Sequence, residues 1–460
     1  MKYFICAILV ILILSCKTTD EHNTSYFGGE IINPKSNFVL FLKDNKVIDT
    51  LLLDENNRFI NGYASLNEGL YTFKHGNEFQ YIYLQPTDSV LIRLNTWDFD
   101  ESLVFSGKGS AKNEYLINLF LQNEREEKVM HQYFHFDEQK FQIKIDSLAK
   151  IKVNIYNEFA NHEVNVSAGF EKLTTTAIHF PLYRLKEIYP YFYKKAHNLE
   201  EFPIVSDSFY DFRVNINLNE ENLVSFYPYQ NYVVSYLYNL SYQQEANDSL
   251  KNDITVNILN NTLEHVKNET FKNELLKGVI VNNFFKSEST CNINEEPLRI
   301  FLENCTNREF VKTVINLVSD SKAISTKEPL TNFELLSYDG NIATINEIIE
   351  GENSVIYFWS TKFMSSDYLI KRINYLENKY PNILFVGINM EVMLKNLTSD
   401  PNLNKLDINK QFMLPKDSYA HNYLTSNYPR VIIINNEGIV KNGFTYLGSR
   451  KLSLELDKLK

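Results

Sequence analysis

The sequence predicts an α/β C-terminal domain, preceded by a small antiparallel β-sandwich or barrel domain and an all-helical middle region. Three observations carry this. Short alternating runs recur at roughly ten-residue spacing through residues 27–108, and apolar residues recur at three- and four-residue steps through 109–320. Strand and helix patterns then alternate through 330–460, around the apolar runs Ser354–Trp359, Ile383–Ile388 and Val431–Ile434. At about 100–200 residues per domain, 460 residues accommodate two to four domains. With 46 basic against 57 acidic residues, a net charge of −11 and no basic cluster, nucleic acid is not an expected partner. The 29 Tyr and 32 Phe read first as core filling.

At the N-terminus Lys2 precedes an apolar run from Tyr3 to Leu14. A membrane-spanning helix needs about 20 residues, so the run has instead the length of a signal-peptide apolar region. It ends Ile13-Leu14-Ser15-Cys16, which resembles the lipobox of bacterial lipoproteins. That resemblance implies a signal peptide over 1–15, lipidation of Cys16 and a polar tether over 16–26. The expected location is the cell envelope of a Gram-negative bacterium, periplasmic or surface-facing, because several acyl chains give a stable membrane anchor where one does not. Cys6 leaves with the signal, so only Cys291 and Cys305 remain in the folded part. Export makes a disulfide conceivable. Two helical turns from Pro297 rise about 10 Å, whereas bridged Cα atoms lie within about 7 Å. Free thiols are therefore the first expectation, with a disulfide or a redox pair left open.

Residues 27–108 give strands at Phe38–Leu42, Val47–Leu53, Tyr71–Lys74, Tyr81–Leu84 and Val90–Leu94. Turn chemistry separates them at Asp44-Asn45, Asp54 to Asn57, Asn61-Gly62 and Pro86-Thr87-Asp88. Gly107-Lys108-Gly109 lacks the glycine spacing and Lys-Ser/Thr pair of a phosphate loop and reads as a turn. Residues 109–320 give helices: Phe141, Ile145, Leu148, Ile151, Ile155 and Phe159 mark one amphipathic face, with similar patterns over Phe170–Ala196, Tyr229–Tyr242, Ile258–Phe285 and Phe310–Val318. His131 and His135 have helical metal-pair spacing, but no third ligand accompanies them, so no metal is expected. Residues 321–329 read as a polar linker.

In 330–460, Phe333–Leu336 is a strand, Ser354–Trp359 a buried strand and Asp367–Tyr380 a helix. Ile383–Ile388 and Val431–Ile434 are further buried strands; Ile439–Phe444 completes a hairpin, and Ser449 starts a closing helix. The segments FELLSYDGNIATINEI, VIYFWSTKFMSSD, the INM following Val386-Gly387, and NYPRVIIINNEGIV resemble, in order and spacing, the TlpA/ResA branch of the thioredoxin superfamily. GEIINPKSNFVLFL, YLQPTDSVLI and FSGKGSAKNEYL are similar to a β domain found in front of such domains in bacterial lipoproteins. The resemblance implies a thioredoxin-like fold over 330–460, with Pro429 as the family's cis-proline facing the active-site turn.

The active-site turn departs from the family. Phe358 and Trp359 match, but the two cysteine positions fall on Phe363 and Ser366, giving Phe363-Met364-Ser365-Ser366. The family chemistry needs a thiolate at a helix N-terminus and a second thiol to resolve the mixed disulfide. Phe363 carries no nucleophile. Ser366 would need an adjacent base, and the nearest histidine in sequence is His421; the expected role of Ser366 is to cap the helix that follows. No catalytic residue and no cofactor are expected, and a binding groove is expected from Trp359, Lys362, Phe363, Met364, Tyr428 and Pro429. The leading expectation is a membrane-anchored lipoprotein with a redox-inactive thioredoxin-like domain that binds an envelope protein or extended peptide. The alternatives are a thiol-disulfide oxidoreductase of the TlpA/ResA kind and a glycan- or nutrient-capture accessory protein.

Overall fold

A computed structural model describes residues 24–163, 166–247, 253–286, 294–391, 405–449 and 451–459. Cys16, Cys291, the signal segment and most of the tether lie outside them. The chain divides into two compact units, one up to residue 246 and one from 247 onward.

The first unit begins with eight strands: β1 (Ser25–Ile32), β2 (Phe38–Lys43), β3 (Lys46–Leu52), β4 (Arg58–Tyr63), β5 (Gly69–His75), β6 (Glu78–Leu84), β7 (Ser89–Asn95) and β8 (Val104–Lys108). They form two four-stranded sheets, ordered β4-β1-β7-β8 and β3-β2-β5-β6. One core serves both: Phe27 of the first sheet meets Phe41 and Phe73 of the second at ring-centroid distances of 4.9 and 5.9 Å. All pairs are antiparallel except β1 with β7. Two expectations change here. Ser25 and Tyr26 belong to β1 and not to a tether, and Ser25 is buried. Asn61-Gly62 is no turn but part of β4, opposite β1. A Cβ on Gly62 would lie 3.0 Å from the Tyr26 ring, so the glycine serves close cross-strand approach.

Helices α1 (Ser110–Val129), α2 (Glu138–His162), α3 (Ala168–Ala196) and α4 (Tyr227–Asn247) complete this unit. The face read from Phe141, Ile145 and Leu148 is buried against Leu182, Leu185 and Tyr189 of α3. His131 and His135 fall in a 3-10 turn, Met130–His135, and not in an α-helix, so the helical spacing argument does not apply to them. Pro181 sits inside α3, where it cannot donate to the carbonyl of Ala177. Asn123 Nδ2 of α1 donates to that carbonyl instead, at 3.2 Å.

The second unit starts with α5 (Ile254–His265), α6 (Glu269–Lys286), α7 (Glu295–Asn304) and α8 (Arg308–Lys322). The sequence pattern over Ile258–Phe285 is thus two helices, and all four belong with the C-terminal part of the chain. The strands that follow are β9 (Glu334–Ser337), β10 (Ile342–Thr344), β11 (Ser354–Trp359), β12 (Leu384–Asn389), β13 (Gln411–Met413), β14 (Val431–Ile434) and β15 (Val440–Thr445). They form one sheet ordered β10-β9-β13-β12-β11-β14-β15. Parallel β11 and β12 flank α10 (Ser366–Lys379) in sequence, with the short α9 (Ile345–Ile348) before them; β14 runs antiparallel to β11, and α11 (Leu452–Leu456) closes the chain. Both faces of β11 are covered. Val355, Tyr357 and Trp359 join the core that α10 completes, while Ile356 and Phe358 join the core on the other face. This strand order and sense is a thioredoxin-like fold over part of the chain.

Residues 321–329 are not a free linker. Lys327 N donates to Val440 O at 2.8 Å and Val440 N to Glu328 O at 2.9 Å, while Ile324 and Leu330 are buried in the domain core. A Cβ on Gly443 would lie 2.6 Å from the Ile324 carbonyl, so glycine is what lets this segment lie on β15. Ile324 within the stretch and Leu330 directly after it anchor it in the core.

Candidate functional site

At the C-terminal end of β11 the chain turns through Ser360 to Ser365 and enters α10. Backbone bonds from Phe363 and Met364 to the Ser360 carbonyl, at 3.1 and 3.3 Å, close this turn. Glu391, just past β12, braces it from the side. One carboxylate oxygen accepts from Ser360 Oγ at 2.7 Å, and from Thr361 N and Oγ1 at 3.0 Å each. These bonds hold the Glu391 carboxyl below its ordinary pKa, although its partial burial works the other way.

The helix cap is Ser365, whose Oγ accepts from Tyr368 N at 3.2 Å. Ser366 is the first helical residue and is buried; it is not the cap the sequence suggested. Asp367 is exposed, and its carboxyl is held below the ordinary carboxylate pKa by Lys371, whose Nζ lies 2.6 Å away.

Facing this turn is the loop 425–430. Here the structure departs from the resemblance: the bond before Pro429 is trans, as is every described peptide bond. The chain reverses instead at Asn427, whose φ is +61°. Helix α8 fixes the loop. The Asp320 carboxylate, buried, accepts from Thr425 N (3.0 Å), Thr425 Oγ1 (2.6 Å), Ser426 N (2.9 Å) and Ser426 Oγ (2.6 Å). Arg430, also buried, donates Nη1 to the carbonyls of Asp320 (3.0 Å) and Tyr423 (2.8 Å), and Nη2 to that of Gly443. Burial pushes its guanidinium pKa down to about 10, with the Asp320 charge opposing.

The structure brings together two of the expected groove residues from opposite sides. The half-exposed Phe363 ring lies against Tyr428, with centroids 5.3 Å apart. Phe285 of α6 meets Tyr428 at 5.7 Å and Tyr446 at 4.1 Å, so the loop is flanked by aromatic rings on both sides. Burial raises the pKa of both phenols. Lys362 is exposed, Met364 packs toward the α10 core, and Pro429 is buried. Trp359 does not line a groove: it is 1% exposed, because the β11 alternation points it at α10. Asp320, Arg430, Glu391 and Phe285 were missed from sequence. The available signal was a lone Arg heading the apolar run Val431–Ile434, a position where burial demands partners.

Cys305 is a buried free thiol between α7 and α8, with Sγ 3.8 Å from the Asn307 carbonyl. Burial raises its pKa and so disfavours the thiolate. Among the described residues no group of three or more His, Cys, Asp or Glu is placed to hold a metal ion, and no helix is long and apolar enough to cross a membrane.

No family model matches the chain, and no curated protein matches it. Among solved structures it is similar to a thioredoxin-family thiol:disulfide interchange protein from Chlorobium tepidum TLS, at 14% identity over 30% of this chain and 98% of that one, with a TM-score of 0.24. It is also similar to the thioredoxin domain of a thiol-disulfide oxidoreductase from Bacteroides vulgatus (18% identity, 25% of this chain, 86% of that one, TM-score 0.20). A third is a thiol:disulfide interchange protein from Bacteroides sp. (18% identity, 26% of this chain, 80% of that one, TM-score 0.21).

Proposed function

We propose that this chain is a lipid-anchored envelope protein whose thioredoxin-like part is redox-inactive and serves binding or scaffolding. The observation that carries the reading is the position of Phe363. A hydrocarbon ring, resting on Tyr428, occupies the place where the resemblance puts the attacking thiol. No electron pair there can open a disulfide, and Cys305 is buried with its thiol held neutral. What remains is an apolar lip of Phe363 and Tyr428 beside the exposed Lys362, suited to an extended peptide or a protein surface. The anchor rests on the lipobox sequence around Cys16.

An insulin-reduction assay tests the inactive part of the reading. The chain should show no turnover; turnover that survives replacement of both Cys291 and Cys305 overturns it. Crosslinked capture from an envelope extract tests binding: partners held by the wild type should be lost in Phe363→Asp. Metabolic labelling with a fatty acid tests the anchor, since Cys16→Ala should incorporate none.

A further inference from the structure

We propose that the first unit holds a binding site for an apolar, ring-containing molecule that carries one positive charge. The site is a cavity of about 440 Å³ between the β6 edge of the sandwich and helices α1 to α4. Small-molecule sites run from about 300 to 1,000 Å³, whereas packing defects in a close-packed interior are rarely larger than a water molecule. Its wall is mainly apolar and aromatic, with Phe79, Tyr81, Phe120, Tyr133, Leu182 and Phe226 among the lining side chains. Phe79 is half exposed at the edge, an entry for a ligand.

The polar groups of the wall decide the sign of the ligand's charge. Two cations line the cavity, and both are already matched. Lys152, 1% exposed, donates to Asn123 Oδ1 and pairs with Glu126, each at 2.6 Å. Arg184 pairs with Glu127 at 3.3 Å. Asn123 is itself fixed, because its amide serves the Ala177 carbonyl that Pro181 leaves without a donor. The carboxylates are in excess. Glu78 has Lys35 at 3.1 Å, but Asp100 and Glu124 take part in no ion pair among the described residues. Among the described residues the Asp100 carboxylate accepts from the side-chain amide of Gln80, at 2.9 Å. Its carboxyl is pushed up by burial and by the charges of Glu124, Glu101 and Glu78. A bound cation would relieve that repulsion, and aromatic faces beside it add attraction of their own. A carboxylate ligand would have to compete with Glu126 for the buried Lys152 ammonium and would add a further negative charge to a wall already in excess of carboxylates.

The test uses the full chain without its lipid, with three matched fluorescent probes: 2-naphthylethylamine, 2-naphthylethanol and 3-(2-naphthyl)propionate. The amine should bind at least ten times more tightly than either of the others. Asp100→Asn with Glu124→Gln, at partly exposed positions, should leave the near-ultraviolet circular dichroism unchanged. It should lower amine affinity at least tenfold and leave the alcohol's unaltered. Leu182→Trp should fill the cavity and abolish binding of all three; the double variant decides the matter if that protein does not fold. Equal affinity for the three probes, preference for the propionate, absence of binding, or amine binding indifferent to the double substitution would each overturn the proposal.

Discussion

Arg430 Nη1 donates to the backbone carbonyl of Asp320 at 3.0 Å, joining the end of helix α8 to the start of strand β14. The Asp320 carboxylate meanwhile takes four bonds from Thr425 and Ser426, so the same two residues fasten the loop that faces Phe363. A helix outside residues 330–460 thereby supplies the support for that loop.

Removing this carboxylate should therefore loosen both helix and loop. Asp320→Ala strips four hydrogen bonds and the charge beside buried Arg430, a change expected to cost about 3 kcal/mol. Asp320→Asn keeps some acceptor capacity and should cost less. Denaturant midpoints, with hydrogen exchange over 425–430, check this. Unchanged exchange in Asp320→Ala would mean that the loop is held by something else.

A pH dependence follows from His75, which is 1% exposed. Its Nε2 accepts from Lys35 N at 2.9 Å, and Nδ1 lies 3.0 Å from the Phe38 carbonyl, so the neutral ring with the proton on Nδ1 fits. Burial lowers its pKa. In the unfolded chain the ring takes a proton near pH 6.5. The unfolded state therefore binds more protons below that pH, and the stability contributed by His75 is present above it. That contribution is lost as the pH falls toward the folded value. His75→Gln should flatten the stability-against-pH curve below about pH 6.5. Identical wild-type and variant curves would exclude this origin.

The first unit has its own buried charge centre. Glu187, fully buried, accepts from Arg213 Nε at 2.9 Å and from Arg213 Nη2, from Asn239 Nδ2 at 2.7 Å and from Tyr232 OH at 3.2 Å. The Arg213 guanidinium lies 3.8 Å from the Tyr210 ring centroid. Glu187→Ala removes the acceptor shared by Arg213, Asn239 and Tyr232 and leaves the guanidinium without its counter-charge, so it should destabilise the unit by about 3–5 kcal/mol. Glu187→Gln, which still accepts, should cost distinctly less. Thermal melts of the two variants check the order, and equal losses would argue against the hydrogen bonds as the cause.

Sequence pattern located strands best where both faces are buried. Ser354–Trp359 and Val431–Ile434 are continuous apolar runs, and the strands match them residue for residue. It failed where one residue type serves two purposes. Gly62 reads as a turn glycine but lies under the Tyr26 ring in a strand. Trp359 reads as a groove aromatic but alternates into the core. The partners of Asp320 lie more than a hundred residues away, and no local periodicity encodes such a contact. The cavity was equally invisible, since the residues that line it carry the same helical spacing as those that fill a core.

The reading of the turn before α10 as a degenerate redox motif can be tested by supplying two thiols there. Phe363 lies on the turn before α10, Ser366 is its first residue, and Tyr428 faces the turn from the loop. Phe363→Cys with Ser366→Cys would place two thiols three residues apart at a helix N-terminus, where the terminus favours a thiolate. The pair should oxidise to a disulfide, read as the loss of two titratable thiols, and should confer weak reductase activity. Three features limit that activity. Asp367 puts a carboxylate next to the new thiols, though Lys371 offsets part of its charge. The Pro429 loop is trans and held by Asp320, and Phe285 flanks it. Adding Asp367→Asn should lower the first thiol's pKa and raise the rate. If the pair does not oxidise, residues 363 and 366 are not equivalent to a cysteine pair, and the reading of this turn as a degenerate redox motif falls with it.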